Sequence, residues 1–186
     1  MEDLKTSSDV DLIRKSLGED DLEAFDVLIE RHLSRVHSLV RNMVSNHADT
    51  EDLTQEVFLR AWRKLASFNN HSSFPTWLHR IAVNVVYDHR KRNGRDPVFG
   101  VENLPPNAGS RRNDPGHDIA MSELDEAIRG ALDSLSPKLR TAVVCHLVEG
   151  LSVAEVALIE NCSRTTVHWR IHTARKQLRK ILSSYV

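Results

Sequence analysis

The chain has 186 residues, 25 Lys and Arg against 26 Asp and Glu, a net charge of −1, and two cysteines. That length holds one domain or two small ones. Cys145 and Cys162 are too few for a disulfide scaffold or a zinc site of their own, and are read as small buried side chains rather than redox sensors. The first thirty residues are acidic and lack the apolar run of a secretory signal. No apolar stretch approaches membrane-spanning length, so the expectation is a soluble, cytoplasmic protein without membrane insertion of its own.

The net charge alone argues against a nucleic-acid partner, but its distribution argues the other way. Residues 1–30 hold 3 basic and 10 acidic side chains, and residues 101–133 hold 3 and 7. Residues 61–100 hold 7 basic and 2 acidic, and residues 134–186 hold 8 and 3. Two basic segments are thus separated by acidic ones. Local sign governs attraction to phosphate more than the total does.

In chain order, nearly everything reads as helix. A short helix is predicted from Asp9 to Leu17, stopped by Gly18. A second begins near Asp20 and Asp21 and runs to about Val44, with Phe25, Leu28, Ile29, Leu33, Val36, Leu39, Val40 and Met43 along its stripe. After a turn over 46–49, Asp49 is expected to cap a third helix, with Glu51 and Asp52 suited to the positive end of its dipole. That helix carries Leu53, Val57, Phe58, Ala61, Trp62 and Leu65. Residues 67–73 form a polar loop with Phe68 inside it. Ser73 then caps a fourth helix, which tolerates Pro75 in its first turn and ends in a basic run at 89–92.

From Asn93 to Gly116 there are four prolines and four glycines with few large apolar residues, the composition of a linker. A new helix begins near Ile119. Ser136-Pro137 marks the start of another that runs to about Val148. The tail reads as helix, turn, helix. Ser152 and Glu155 make a capping box. Asn161 sits where the turn needs a positive φ, a conformation Asn accepts. Ser163 caps a last helix whose stripe is Val167, Ile171, Ala174, Leu178 and Ile181. The opposite face is loaded with Arg, Lys, Thr and His, and a helix-turn-helix lays such a face into the major groove of DNA. The fold class expected is all-α, two small helical domains at 1–93 and 118–186 joined by a flexible linker at 94–117. No internal repeat is visible.

The strings DTEDLTQEVFLRAW (49–62), SFNNHSSFPTWLHRIAVNVVYDHRKR (67–92) and LSPKLRTAVVCHLVEGLSVAEVALIENCSRTTVHWRIHTARKQLRK (135–180), in this order and spacing, resemble the extracytoplasmic-function (ECF) sigma factors of bacterial RNA polymerase. The resemblance covers nearly the whole chain outside the linker. It implies that the first domain binds core polymerase and the −10 promoter element, and the second binds the −35 element. It also implies an anti-sigma factor as a partner, promotion of promoter melting, and no catalytic residue, cofactor or metal.

The resemblance assigns polymerase contact to Asp52, Gln55, Glu56 and Phe58, on a face that otherwise reads as ordinary solvated surface. For the −10 strand it points to the loop residues Phe68, Asn69, Asn70, His71, Ser72 and Ser73. Taking a base out of a duplex costs a few kcal/mol, and stacking on an aromatic wall returns about 1–3 kcal/mol per base. Phe68 and Phe74 fit a core role equally well. Trp77 either stacks on a base or, beside Ile81, belongs to the core. Asn84 is placed toward the −10 strand by resemblance. Arg90 and Arg92, in the basic end of the fourth helix, suit phosphate, with dipole compensation as the competing account.

For the −35 element the candidates are Arg164, Thr165, Thr166, His168 and Arg170, with Arg175 toward phosphate. Arg bidentate to guanine is the commonest specific contact, which favours Arg170 or Arg164. His168 and His172 have metal-ligand spacing, but no third ligand accompanies them. Two residues depart from the family pattern: Asn161 where glycine is usual, and Trp169 where a small residue is usual. Trp169 either packs under the helix or faces the DNA. The linker, about 24 residues, spans at most roughly 80 Å when extended. Two turns of duplex measure about 70 Å, so one chain reaches both elements. The rival reading is a helix-turn-helix regulator that never joins polymerase, which leaves DLTQEVFLRAW unexplained. A His-rich metal hydrolase has no ligand cluster to stand on.

Overall fold

A computed structural model of the chain describes residues 4–18, 22–44, 46, 48–94 and 119–184. The predicted linker past Gly94 and the expected start of the second helix at Asp20 and Asp21 lie outside the described residues. Among the described residues the chain is helical, with no strand. In order come α1 Asp9–Gly18, α2 Leu22–Met43, α3 Asp49–Lys64, α4 Phe74–Arg92, α5 Ile119–Asp133, α6 Pro137–Val143, α7 Val153–Glu160 and α8 Arg164–Ile181.

The first four helices form one group. The helical spacing of apolar residues in α2 turns Phe25, Leu28, Val36, Leu39, Val40 and Met43 inward. Leu53, Val57, Phe58 and Ala61 of α3 meet them. α4 is buried nearly all round, with Trp77, Leu78, Ile81, Ala82, Val83, Val85 and Val86 all in the core. The reason is that it has neighbours on two sides: α2 and α3 on one, α7 on the other. α1 buries Leu12 and Ile13 against α2. It is pinned there by Asp9, whose carboxylate pairs with Arg31 and lies 2.9 Å from His32 Nε2. That hydrogen bond from His32 leads the causes that hold the Asp9 carboxyl below its usual range. The described part of the acidic N-terminal segment is therefore a packed element.

Two local expectations differ. Asp49 does not cap α3; Ala48 occupies the cap position without a side-chain bond. The Asp49 carboxylate instead lies 3.1 Å from His89 Nε2 on α4, a tertiary partner invisible to local pattern. The helix after Pro137 does not continue as α to Val148. It widens into a π-helical turn over Val144–Val148, with the Glu149 amide donating to the Val144 carbonyl at 3.0 Å. Gly150, at φ +71°, then turns the chain into α7.

The second group, α5 to α8, closes over Leu132, Leu135, Leu139, Ala142, Val143, Val156, Ile159, Val167, Ile171 and Ala174. Three caps are as expected. Ser73, Ser152 and Ser163 accept from the backbone amides of Thr76, Glu155 and Thr166 at 3.3, 3.3 and 3.0 Å. Asn161 adopts φ 48°, ψ 52°, the left-handed conformation that lets α7 stop and α8 leave at an angle.

The two groups share one continuous apolar core. Buried Arg140 of α6 ties them: its guanidinium donates to the carbonyls of Leu132 at 2.7 Å and of Met43, on α2, at 3.1 Å. It also pairs with Asp133 at 2.7 Å. A buried cation is tolerated only when so fully bonded.

Candidate nucleic-acid and polymerase interface

On α3, Asp52 and Gln55 are exposed and Glu56 is half-buried. Positions 52, 55, 56 and 59 recur at helical spacing and share one face. Leu59 completes it, 52 % exposed, a large apolar side chain that the sequence reading passed over because its position looked like part of a solvated face. Glu56 is held at 2.7 Å by Arg60, which also bridges to Asp88 of α4. Phe58 does not share this face; it is buried among the core residues.

The loop between α3 and α4 stands on an aromatic base. Phe68 lies edge-on to Phe74 and Trp77, with ring centroids 5.7 and 5.5 Å apart, and Phe74 stacks on Trp77 at 5.6 Å. His32 adds a contact to Phe74 from α2 at 5.4 Å. Trp77 and Phe74 are buried and Phe68 is half-buried, so this cluster anchors the loop. The indole of Trp77 takes the core alternative because its helix face is shared with Ile81. Above it, Asn69, Asn70 and His71 are exposed and Ser72 is half-buried. Asn69 Oδ1 accepts from the His71 amide at 3.3 Å, and Asn70 sits at φ 58°. The Ser73 hydroxyl is engaged as the α4 cap and lies 2.8 Å from Thr76 Oγ1. Asn84, four residues after exposed Arg80, faces outward from α4. Arg92 is exposed and Arg90 half-buried at its basic end.

On α8, Arg164, Thr165, His168, Arg175 and Lys176 are exposed, and Thr166 is half-buried with its hydroxyl 2.8 Å from that of Ser163. Arg170 is placed differently. Its guanidinium bonds Glu160 Oε2 at 2.8 Å and lies 3.6 Å from Cys162 Sγ, so it braces the turn. Trp169, next to it, is 49 % exposed.

The two groups meet through a second set of polar contacts. Fully buried Glu160 accepts from the Tyr87 hydroxyl of α4 at 2.9 Å and pairs with Lys138 at 3.3 Å. Burial, and then the Glu160 charge, push the Tyr87 hydroxyl well above its usual range, so it stays a donor. Glu155 accepts from Thr76 of α4 at 2.9 Å, and Glu149 from Ser38 of α2 at 2.9 Å. His79 Nε2 faces the same Glu149 carboxylate at 3.8 Å. None of the pairings between the two groups has a signal in local sequence; each spans the linker. Among the described residues no group of three or more His, Cys, Asp or Glu is placed to hold a metal ion. No described helix is long and apolar enough to cross a membrane.

Residues 28–96 match the family described as Sigma-70 region 2, and residues 125–178 match Sigma-70, region 4. The chain is 36% identical over 164 residues to the ECF RNA polymerase sigma factor SigE of Mycolicibacterium smegmatis, covering 88% of this chain and 63% of that one. It is 34% identical over 165 residues to the ECF RNA polymerase sigma-E factor of Haemophilus influenzae, covering 85% of this chain and 87% of that one. Its fold is similar to the sigma factor RpoE of Bartonella quintana, solved in complex with the anti-sigma factor NepR, with a TM-score of 0.66 at 24% identity over 86% of this chain and 96% of that one. With the two family regions in order on one chain, and the curated relatives aligned across both, the protein belongs to the ECF sigma factors of bacterial RNA polymerase.

Proposed function

We propose that this chain binds core RNA polymerase, brings it to promoters with a particular pair of −35 and −10 elements, and helps open the −10 region. The first domain, 1–93, meets polymerase through the face of α3 that holds Asp52, Gln55 and Leu59. Its loop at 69–72 captures a base of the −10 strand. Asn84 lies along that strand, and Arg90 and Arg92 meet its phosphates. The second domain, 118–186, lays α8 in the major groove of the −35 element. The chain supplies no catalysis of its own and works in the cytoplasm, where polymerase is. One conjunction supports the reading: an exposed face on α3 with Asp52, Gln55 and Leu59, a polar loop on an aromatic cluster and an outward basic face on α8 occur together on a chain that matches both sigma-70 regions.

Elements two turns of duplex apart are about 70 Å from each other, while Tyr87 and Glu160 are in direct contact. On this reading the halves part when both elements are held at once. Parting uncovers Thr76 and Tyr87 on one side and Thr141, Glu155 and Glu160 on the other, a surface an anti-sigma factor of the kind bound to RpoE would cover or keep closed. The test is pull-down of core polymerase without DNA, followed by transcription from a genomic promoter library. New start sites sharing a −35/−10 pair are expected. Core binding without new start sites, or DNA binding without core binding, would refute it.

A further inference from the structure

Among the outward residues of α8 is one large aromatic side chain, Trp169. Two residues of α-helix turn the chain by about 200°. Trp169 is two positions after Val167 and two before Ile171, both buried, so its side chain points almost directly away from the domain. It is 49 % exposed and lies in the second turn of α8, the end that meets base edges in a docked helix-turn-helix. Its neighbours one turn away are Thr165 and His172, both exposed. Arg170, which would otherwise compete for a base, is held by Glu160 at 2.8 Å.

We propose that Trp169 reads a thymine of the −35 element. An indole offers an apolar face and one N–H donor, with no acceptor. In the major groove only thymine presents a methyl group beside an acceptor oxygen, O4; cytosine presents an amino donor there, which the indole has nothing to accept with. The chemistry of the side chain therefore selects T over C at one step of the groove floor. This rests on the sigma-factor reading above, since it needs α8 docked on promoter DNA.

The test uses the full chain with core polymerase on promoters whose −35 thymines are replaced one at a time by deoxyuridine, which deletes only the methyl. At one position the replacement is expected to weaken wild-type holoenzyme binding about fourfold, the effect of one buried methyl, and to have no effect on the W169A holoenzyme. Cytosine at that position is expected to cost wild type about tenfold or more. If no thymine is sensitive to loss of its methyl, or if the sensitivity persists in W169A, the assignment is overturned. If W169A instead weakens binding to core polymerase without DNA, Trp169 is a protein contact and the assignment is likewise overturned. The deoxyuridine series on wild type needs no folded variant. A wild-type chain that gives no promoter complex at all refutes the sigma-factor reading instead.

Discussion

Tyr87 on α4 donates its hydroxyl to the fully buried carboxylate of Glu160 on α7, 2.9 Å away, and lies 2.7 Å from Thr141 Oγ1. The Lys138 ammonium sits over the same ring, 4.4 Å from its centroid. One side chain of the first helical group thus completes the shell of a carboxylate that also holds Arg170 of α8. Tyr87→Phe keeps the ring and the cation above it but leaves one Glu160 oxygen short of a donor. An unsatisfied buried acceptor costs about 1–3 kcal/mol, and here the cost falls on the closed arrangement alone. Small-angle scattering of the free chain is expected to show a larger radius of gyration, with each half still folded by circular dichroism. An unchanged radius would show that the bond does not hold the halves together.

The α3 face gives a second expectation. Asp52, Gln55 and Leu59 are exposed, and substitutions at such positions change stability within about 0.5 kcal/mol. An interface centre, by contrast, loses 1 kcal/mol or more when a contact is truncated. Leu59→Ala together with Asp52→Ala is expected to weaken core-polymerase binding at least tenfold while leaving the melting temperature in place. Phe58→Ala is expected to lower the melting temperature instead, because Phe58 is in the core.

The helices were legible in the sequence because each has a local cause. Ser73, Ser152 and Ser163 cap where the pattern says they should, and Val167, Ile171 and Ala174 keep a 3.6-residue period. What local pattern cannot carry is which partner a polar side chain chooses. Asp49 looks like a cap but bonds His89; Arg170 looks like a base reader but bonds Glu160. The widening at Val144–Val148 has no local signal either; it ends beside Glu149, which accepts from Ser38 of α2. Trp77 illustrates a further limit. An aromatic residue on an apolar face serves a core and a stacking platform with the same pattern, and only its burial separates the two.

Asn161 tests the turn between α7 and α8. Its φ of 48° is open to glycine and tolerated by Asn, while a β-branched residue there is strained. Asn161→Gly is expected to leave thermal stability within a few tenths of a kcal/mol, and Asn161→Val to cost about 1–2 kcal/mol. Both are read by chemical denaturation of the full chain.

Acid should loosen the second domain through Glu155. Its carboxylate accepts from the Ser152 hydroxyl and amide, at 2.7 and 2.9 Å, and from Thr76 of α4 at 2.9 Å. The bonds from Ser152 are the largest cause of a pKa held below the ordinary glutamate value of 4.5. A depressed carboxylate stabilises the fold fully above its unfolded pKa and loses that contribution as pH falls through the lower folded value. Stability is therefore expected to fall as pH drops below about 4.5, and Glu155→Gln should flatten that limb. A denaturation series that shows the same acid slope in both proteins would count against it.

Salt separates phosphate contacts from base contacts on α8. Arg175 is exposed about three turns beyond the start of α8, well past the first turns that would meet base edges in a docked helix-turn-helix. A side chain that neutralises one phosphate contributes about one unit to the slope of log K against log salt, whatever the sequence. Arg175→Ala holoenzyme is expected to lose about one unit of that slope and to weaken on all promoters alike. Arg164→Ala, in the first turn, is expected to weaken binding on one −35 sequence more than on its single-base variants. Equal losses on every sequence from Arg164→Ala would move that residue to the phosphate class, and an unchanged slope from Arg175→Ala would take it off the DNA.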